Sequence, residues 1–222
     1  MQLEFSKIEL IVFDMDGTML DTEALSIKAW QVAMQIQKLE VSQEQFIALL
    51  KDMTGTTFEN GRMAMAKHLP ACDYDRGYKD AVAYIDNHFK TQGVPTKPGL
   101  FELLDKIEAA GIKKCVATST AKERATHKLT LVNIAHRFEV IVGGDEVAVS
   151  KPAPDIFLKA AELCGVAPEN CLVLEDSAAG VKAGYRAGMQ VIAIPDILQP
   201  SEETRAMTKL VCKDLHEVAL LF

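Results

Sequence analysis

Five short apolar runs punctuate the chain: Leu10-Ile11-Val12-Phe13, Cys115-Val116-Ala117, Val140-Ile141-Val142, Cys171-Leu172-Val173-Leu174 and Val191-Ile192-Ala193-Ile194. None alternates apolar with polar positions. Continuous apolar runs of this length suit strands buried on both faces of a parallel sheet. Each is followed by a turn signal and then a helical pattern. Thr120-Ala121-Lys122-Glu123 reads as a capping box opening one helix. Pro154 is expected in the first turn of the helix that runs to Cys164, with Gly165 ending it. Strands alternating with helices in this way predict an α/β fold whose core is a doubly wound, Rossmann-like parallel sheet.

One stretch breaks the alternation. From about Asp21 to about Gly93 the pattern is helical, with no strand run. Leu25, Ala29, Val32 and Ile36 form one apolar stripe, and Phe46, Leu49 and Leu50 begin another. The sheet pattern resumes after Gly93-Val94-Pro95 and Pro98-Gly99. The expected division is a catalytic core of residues 1–20 and 93–222, with an all-helical domain inserted at residues 21–92. Helices that merely cover one sheet face are the plainer alternative.

The composition changes this picture little. At 222 residues the chain is long enough for a core carrying a smaller insertion, and 49% hydrophobic with 25% charged residues is ordinary for a globular protein. The net charge of -7 argues against a broad nucleic-acid or anionic-membrane surface. No apolar run reaches the roughly 20 residues that span a bilayer, and the amino end lacks the pattern of a signal peptide. Five cysteines lie scattered without a Cys-x-x-Cys pair, as reduced thiols of a cytoplasmic protein would, and without zinc-ligand spacing. A monomer is the default expectation.

In doubly wound sheets, ligands bind at the carboxyl ends of the strands. The polar residues after each run are therefore the candidate site. Asp14 and Asp16 follow the first run, with Gly17 and Thr18 behind them; Thr118-Ser119-Thr120 follow the second; Glu175 and Asp176 follow the fourth. Lys151 lies beyond the third, next to Pro152, which favours an extended setting. Taken singly, each has a bland reading: an acid after a strand is usually a helix cap or turn residue, and a lone Lys is usually a solvated charge. Independent caps do not explain two acid pairs, a hydroxyl cluster and a Lys-Pro at successive strand ends. Four acids on one sheet edge repel one another, and all-oxygen ligation points to magnesium as the remedy. The histidines are dispersed and take no ligand role.

These residues resemble the haloacid dehalogenase superfamily of phosphotransferases from Ile11 to a last strand near Val211. Asp14-Met15-Asp16-Gly17-Thr18 is similar to its first motif, Thr118 to its second, Lys151 to its third and Glu175-Asp176 to its fourth. The stretch from Ser150 to Phe157 resembles the subgroup of β-phosphoglucomutase and its phosphatase relatives, which carries a helical cap just after the first motif. The resemblance implies that Asp14 attacks phosphorus and forms an aspartyl phosphate, and that Asp16 is the general acid and then base. It implies a magnesium ion held by Asp14, the Asp16 main chain and Asp176, with Glu175 in or beside the shell. Thr118, Ser119 and Lys151 would bind the phosphoryl group. Counting these four carboxylates, magnesium and Lys151 leaves a net negative charge, which suggests that Asp16 takes up a proton when substrate binds.

The implied substrate is a small phosphorylated metabolite: a sugar, polyol, nucleoside or pseudouridine monophosphate. Within the family an acid at Asp16 goes with phosphate esters, whereas the dehalogenases carry an aromatic residue there. A mutase of the β-phosphoglucomutase kind uses a cap His and a cap Arg, where this chain has Ser26 and, in Gly55-Thr56-Thr57-Phe58, Phe58; Arg62 lies one helical turn further on. A phosphatase is therefore expected over a mutase. A response-regulator receiver domain, the non-enzymatic rival, would be about half as long and lack the helical insertion.

Overall fold

A computed structural model describes residues 5–53, 58–196 and 198–222 of the chain. Its centre is a six-stranded, all-parallel sheet with the order β3-β2-β1-β4-β5-β6. The strands are β1 (Leu10–Phe13), β2 (Lys113–Ala117), β3 (Ile141–Val142), β4 (Cys171–Glu175), β5 (Gln190–Ala193) and β6 (Leu210–Val211). The five apolar runs supply the first five. The short β6 adds a sixth, half exposed at the sheet edge.

Winding runs outward from β1 to β3 and then returns to start β4 on the other side of β1. Such an order places a topological switch point between β1 and β4, where ligands bind in open α/β sheets. Every residue of β1 and β4 is buried, because helices cover both faces. Ile11 and Phe13 turn to the layer formed by α5 (Leu100–Ala109), α6 (Lys122–Leu131) and α10 (Leu215–Ala219). Leu10 and Val12 turn to the layer of α7 (Asp155–Cys164) and α8 (Ala178–Arg186). This two-sided burial is why the runs show no alternation. A short α9 (Glu202–Ala206) precedes β6. Pro154 occupies the N-cap of α7 rather than its first turn, and Gly165 is the C-cap as expected.

Four helices lie between β1 and β2: α1 (Glu23–Ile36), α2 (Gln43–Met53), α3 (Phe58–His68) and α4 (Tyr74–Gln92). They have apolar clusters of their own, one around Met34, Leu49, Met65 and Tyr74 and another around Ala29, Ala33 and Ala81. The stripe expected on α1 is rotated. Leu25, Ala29, Ala33 and Met34 are buried, Val32 is half-buried and Ile36 is 48% exposed. Small side chains set this face: the alanines of α1 meet Ala81 of α4, so close helix approach outweighs side-chain bulk.

The chain enters and leaves this segment through two adjacent crossings. Leu20 and Thr96 form an antiparallel bridge, the Asp21 amide donates to the Pro95 carbonyl at 2.9 Å and the Lys97 amide to that of Met19 at 2.9 Å. The Lys97 ammonium then reaches Asp196 at 2.6 Å and Asp21 at 3.2 Å, tying both crossings to the loop after β5. All five cysteines are free thiols. No described helix is long and apolar enough to cross a membrane.

Leu104→Ala, which empties a fully buried site under the sheet, is expected to cost about 2–5 kcal/mol. Ile36→Ala should stay within about 0.5 kcal/mol. Equilibrium urea unfolding checks both, and equal losses would show that the α1 stripe runs through Ile36 after all.

Candidate active site

Asp14 continues β1 by one residue: its amide still donates to the Leu174 carbonyl of β4 at 3.0 Å. The carboxylate is therefore fixed by the sheet itself, at the switch point. The chain then turns back on itself, with the Met19 and Leu20 amides both donating to the Met15 carbonyl at 2.9 Å. Gly17 makes this turn at φ +87, and a Cβ there would collide with the Asp176 carboxylate. Thr18 donates to Asp176 Oδ1 at 3.1 Å. The acids after β1 and those at the end of β4 are thus held against each other by a glycine and a hydroxyl.

Lys151 is buried between them. Its ammonium donates to Asp14 Oδ1 at 2.5 Å and to Glu175 Oε1 at 2.7 Å, and lies 4.8 Å from the centre of the Phe157 ring. Glu175 Oε2 accepts from the Ser177 amide at 2.7 Å and from the Ser177 hydroxyl at 2.9 Å. Both Glu175 oxygens are therefore engaged away from the cavity, and of the expected metal-binding carboxylates it is the one set furthest back. Asp14, Asp16 and Asp176 line the cavity, as do Thr118, Ser119 and Ser177. Thr118 is buried at the end of β2, and its hydroxyl accepts from the Thr120 amide at 3.2 Å.

Thr120 does not cap α6. Ala121 is the N-cap, and the Lys122 amide is taken by Asp145 Oδ1 at 2.8 Å. The Thr120 hydroxyl instead donates to Asp16 Oδ2 at 2.7 Å. Asp16 Oδ1 accepts from Thr22 at 2.5 Å and from the Lys128 ammonium at 2.6 Å. Burial alone would raise the Asp16 carboxyl, but Lys128 and these hydrogen bonds hold it below the usual range. Lys128 is the functional residue that sequence reasoning missed. It sits in mid-helix, where a Lys normally reads as a solvated charge, and the only signal is its position on α6 facing the end of β1. With it the excess negative charge counted from the sequence disappears. Ahead of substrate binding Asp16 is a carboxylate with a cation of its own.

The remaining acids are not so balanced. Burial pushes Asp14 up to about 8, against the pull of Lys151 and with Glu175 adding to the rise. Burial, then the Glu175 and Asp14 charges, push Asp176 well above the carboxylate range. Burial pulls Lys151 down, but Asp14 and Glu175 outweigh it and leave the ammonium firmly charged. Two buried carboxylates thus share one Lys, with the half-buried Asp176 beside them. Among the described residues no three or more His, Cys, Asp or Glu side chains form a complete metal cage. The donors nevertheless fit magnesium, which is usually bound through one or two carboxylates with water and substrate oxygens completing its shell. Asp14 and Asp176 supply two, both oxygen donors, and a dication would cancel the charge that Lys151 leaves over.

The cavity above these groups has a volume of about 620 Å³. Its far wall comes from the four-helix segment, including Ser26, Trp30, Phe58 and Tyr78. Asn60 of α3 donates to Ser150 at 2.9 Å, beside Lys151, and Arg124 of α6 meets Asp86 of α4 at 3.5 Å. Arg62 does not face the cavity: it pairs with Asp75 at 2.6 Å and lies over the Phe58 and Tyr74 rings. Gly55, Thr56 and Thr57 lie outside the described residues.

The model of the haloacid dehalogenase-like hydrolases matches residues 11–194. Protein CbbY of Rhodobacter capsulatus is 35% identical over 216 residues, 90% of this chain and 88% of that protein. The fructose-1-phosphate phosphatase of Escherichia coli is 32% identical over 187 residues, 83% of this chain and 95% of that one. Among solved structures, a mutant CbbY from Rhodobacter sphaeroides in complex with xylulose-(1,5)bisphosphate superimposes with a TM-score of 0.80 at 26% identity, covering 95% of this chain and 96% of the other.

Lys151→Met leaves Asp14 and Glu175 buried without a counter-charge and is expected to cost about 3–5 kcal/mol in urea unfolding. Asp176→Asn removes the least compensated carboxylate and should raise Tm in the presence of a chelator. A fall in Tm instead would mean that its bond from Thr18 outweighs the repulsion.

Proposed function

The chain belongs to the haloacid dehalogenase-like hydrolases, and we propose that it is a phosphatase among them, hydrolysing a small sugar, polyol or nucleoside monophosphate with magnesium through an aspartyl phosphate on Asp14. One observation carries this reading. Asp14 lies on the cavity floor against Lys151, and Asp16 stands two residues on, facing the same cavity. Nucleophile and proton carrier are thereby offered to one substrate from one turn.

In this mechanism Asp14 attacks phosphorus in line with the departing oxygen. Lys151, the Thr118 hydroxyl and Ser119 hold the phosphoryl oxygens as charge develops on them. Magnesium, held by Asp14, the Asp16 main chain and Asp176, would supply charge neutralisation across nucleophile and phosphoryl group. Asp16 takes up a proton from solvent as the dianionic ester binds, gives it to the leaving oxygen and then takes one from the water that opens the aspartyl phosphate. For the first of these steps its bond to Lys128 must loosen, and the phosphoryl group's negative charge competes for that ammonium within the same cavity. The four-helix segment serves as a cap domain that closes over the ester, with residues 1–20 and 93–222 as the catalytic core.

Ser26 and Phe58, both at the cavity wall, support hydrolysis over a β-phosphoglucomutase-like isomerisation. No Lys or Arg of α1–α4 among the described residues lines the cavity to hold a second phosphate, and Arg62 is occupied elsewhere.

Phosphate release from a panel of monophosphates should require magnesium, vanish with EDTA and fall by roughly 10⁴-fold or more in Asp14→Asn. A radiolabelled phosphoenzyme trapped from the wild type should be absent from that variant. Turnover that survives EDTA would overturn the magnesium role. Isomerisation of β-glucose 1-phosphate, with its bisphosphate present, outrunning phosphate release in phosphorus NMR would overturn the choice of phosphatase.

A further inference from the structure

Every acid on the inner cavity wall but one has a partner in the protein. Asp14 has Lys151, Asp16 has Lys128, Asp176 has Thr18 and Asp145 has the Lys122 amide. Glu23 has none: its carboxyl makes no hydrogen bond or ion pair with any described residue. It is half-buried at the cavity wall, where desolvation and the neighbouring Asp16 and Asp196 charges push it up to about 7. A carboxyl that faces a cavity without a protein partner calls for an explanation.

Its place supplies one. Glu23 is the first residue of α1, next to Thr22, whose hydroxyl holds Asp16. Glu23, Ser26, Ile27 and Trp30 recur at helical spacing, and all four line the cavity, so one face of α1 forms that wall. Glu23 stands at the end of this face nearest Asp16, beside the point where a leaving oxygen departs. The cavity's cations are occupied, Lys128 by Asp16 and Arg124 by Asp86. Beyond the phosphoryl end the surroundings are acidic near Glu23 and apolar at Ile27, Trp30 and Phe58. Such a wall repels a second phosphate and welcomes a neutral hydrogen-bond donor.

We propose that Glu23 is a specificity-determining residue that accepts a hydrogen bond from a hydroxyl on the leaving group, on the carbon next to the one carrying the ester, so that the substrates are monophosphates of polyhydroxy compounds. This rests on the phosphatase reading above and narrows it: bisphosphates and leaving groups without a neighbouring hydroxyl are poor substrates.

The test compares kcat/KM for glycerol 1-phosphate and for 1,3-propanediol monophosphate, which lacks only that hydroxyl, in the wild type, Glu23→Gln and Glu23→Ala. The wild type should prefer the glycerol ester by about 10- to 100-fold. Glu23→Ala should bring the ratio close to one, mainly through KM for the glycerol ester, and Glu23→Gln should keep part of the preference. A ratio unchanged in Glu23→Ala, or both esters falling alike, overturns the assignment. So does a wild type that releases phosphate from p-nitrophenyl phosphate but does not distinguish the two esters. Failure to release phosphate from any ester, p-nitrophenyl phosphate included, removes the phosphatase reading and this assignment with it.

Discussion

The buried ammonium of Lys151 is the contact on which the rest of the structure depends. It bridges the end of β1 to the end of β4 through Asp14 and Glu175, across the point where the sheet changes direction. A charge so far from water persists only with partners in good geometry. Here the partners outnumber it, and the surplus negative charge falls on Asp14 and Asp176, the two side chains best placed to share a dication. The protein's least favourable electrostatics and its proposed chemistry therefore share one end of the sheet. Stability for that arrangement comes from elsewhere, in a sheet covered by apolar layers on both faces.

Rigidity reaches the site through backbone. Asp14 is one ladder bond beyond β1, Thr118 one beyond β2, and Glu175 ends β4. Behind Glu175, α8 approaches so closely that a Cβ at Gly180 would overlap its carboxyl group. Ser177 satisfies one Glu175 oxygen and also caps α8 by accepting from the Gly180 amide at 3.0 Å. The groups that face the cavity from the core are in this way set by hydrogen bonds two layers deep, whereas the opposite wall belongs to helices with their own clusters.

How much of this could be read from sequence follows from how each residue acts. Strands buried on both faces announce themselves as continuous apolar runs, and residues that act from a strand end carry their address in the chain. Asp14, Thr118 and Asp176 were legible for that reason. Lys128 was not, because its role depends on which way a helix faces once packed, and nothing in the sequence sets Glu23 apart from other acids in a helix's first turn. Thr120 shows the opposite failure: a sound local capping pattern lost to a tertiary partner, since Asp16 took the hydroxyl and Asp145 took the amide. In α1 the periodicity was right and the phase wrong, because alanines that let helices touch outweigh larger side chains in choosing the buried face.

The paired crossings at Leu20 and Thr96 confine the traffic between the two parts of the molecule to a narrow ribbon, riveted by Lys97 to Asp21 and Asp196. A segment that leaves and rejoins a scaffold at adjacent points makes little demand on it. Its length, its helices and the residues it shows to the cavity can be exchanged without altering a single strand register. On the proposed division the architecture is a socket: a sheet end that stays put, and a plug-in wall that can change one helix face at a time.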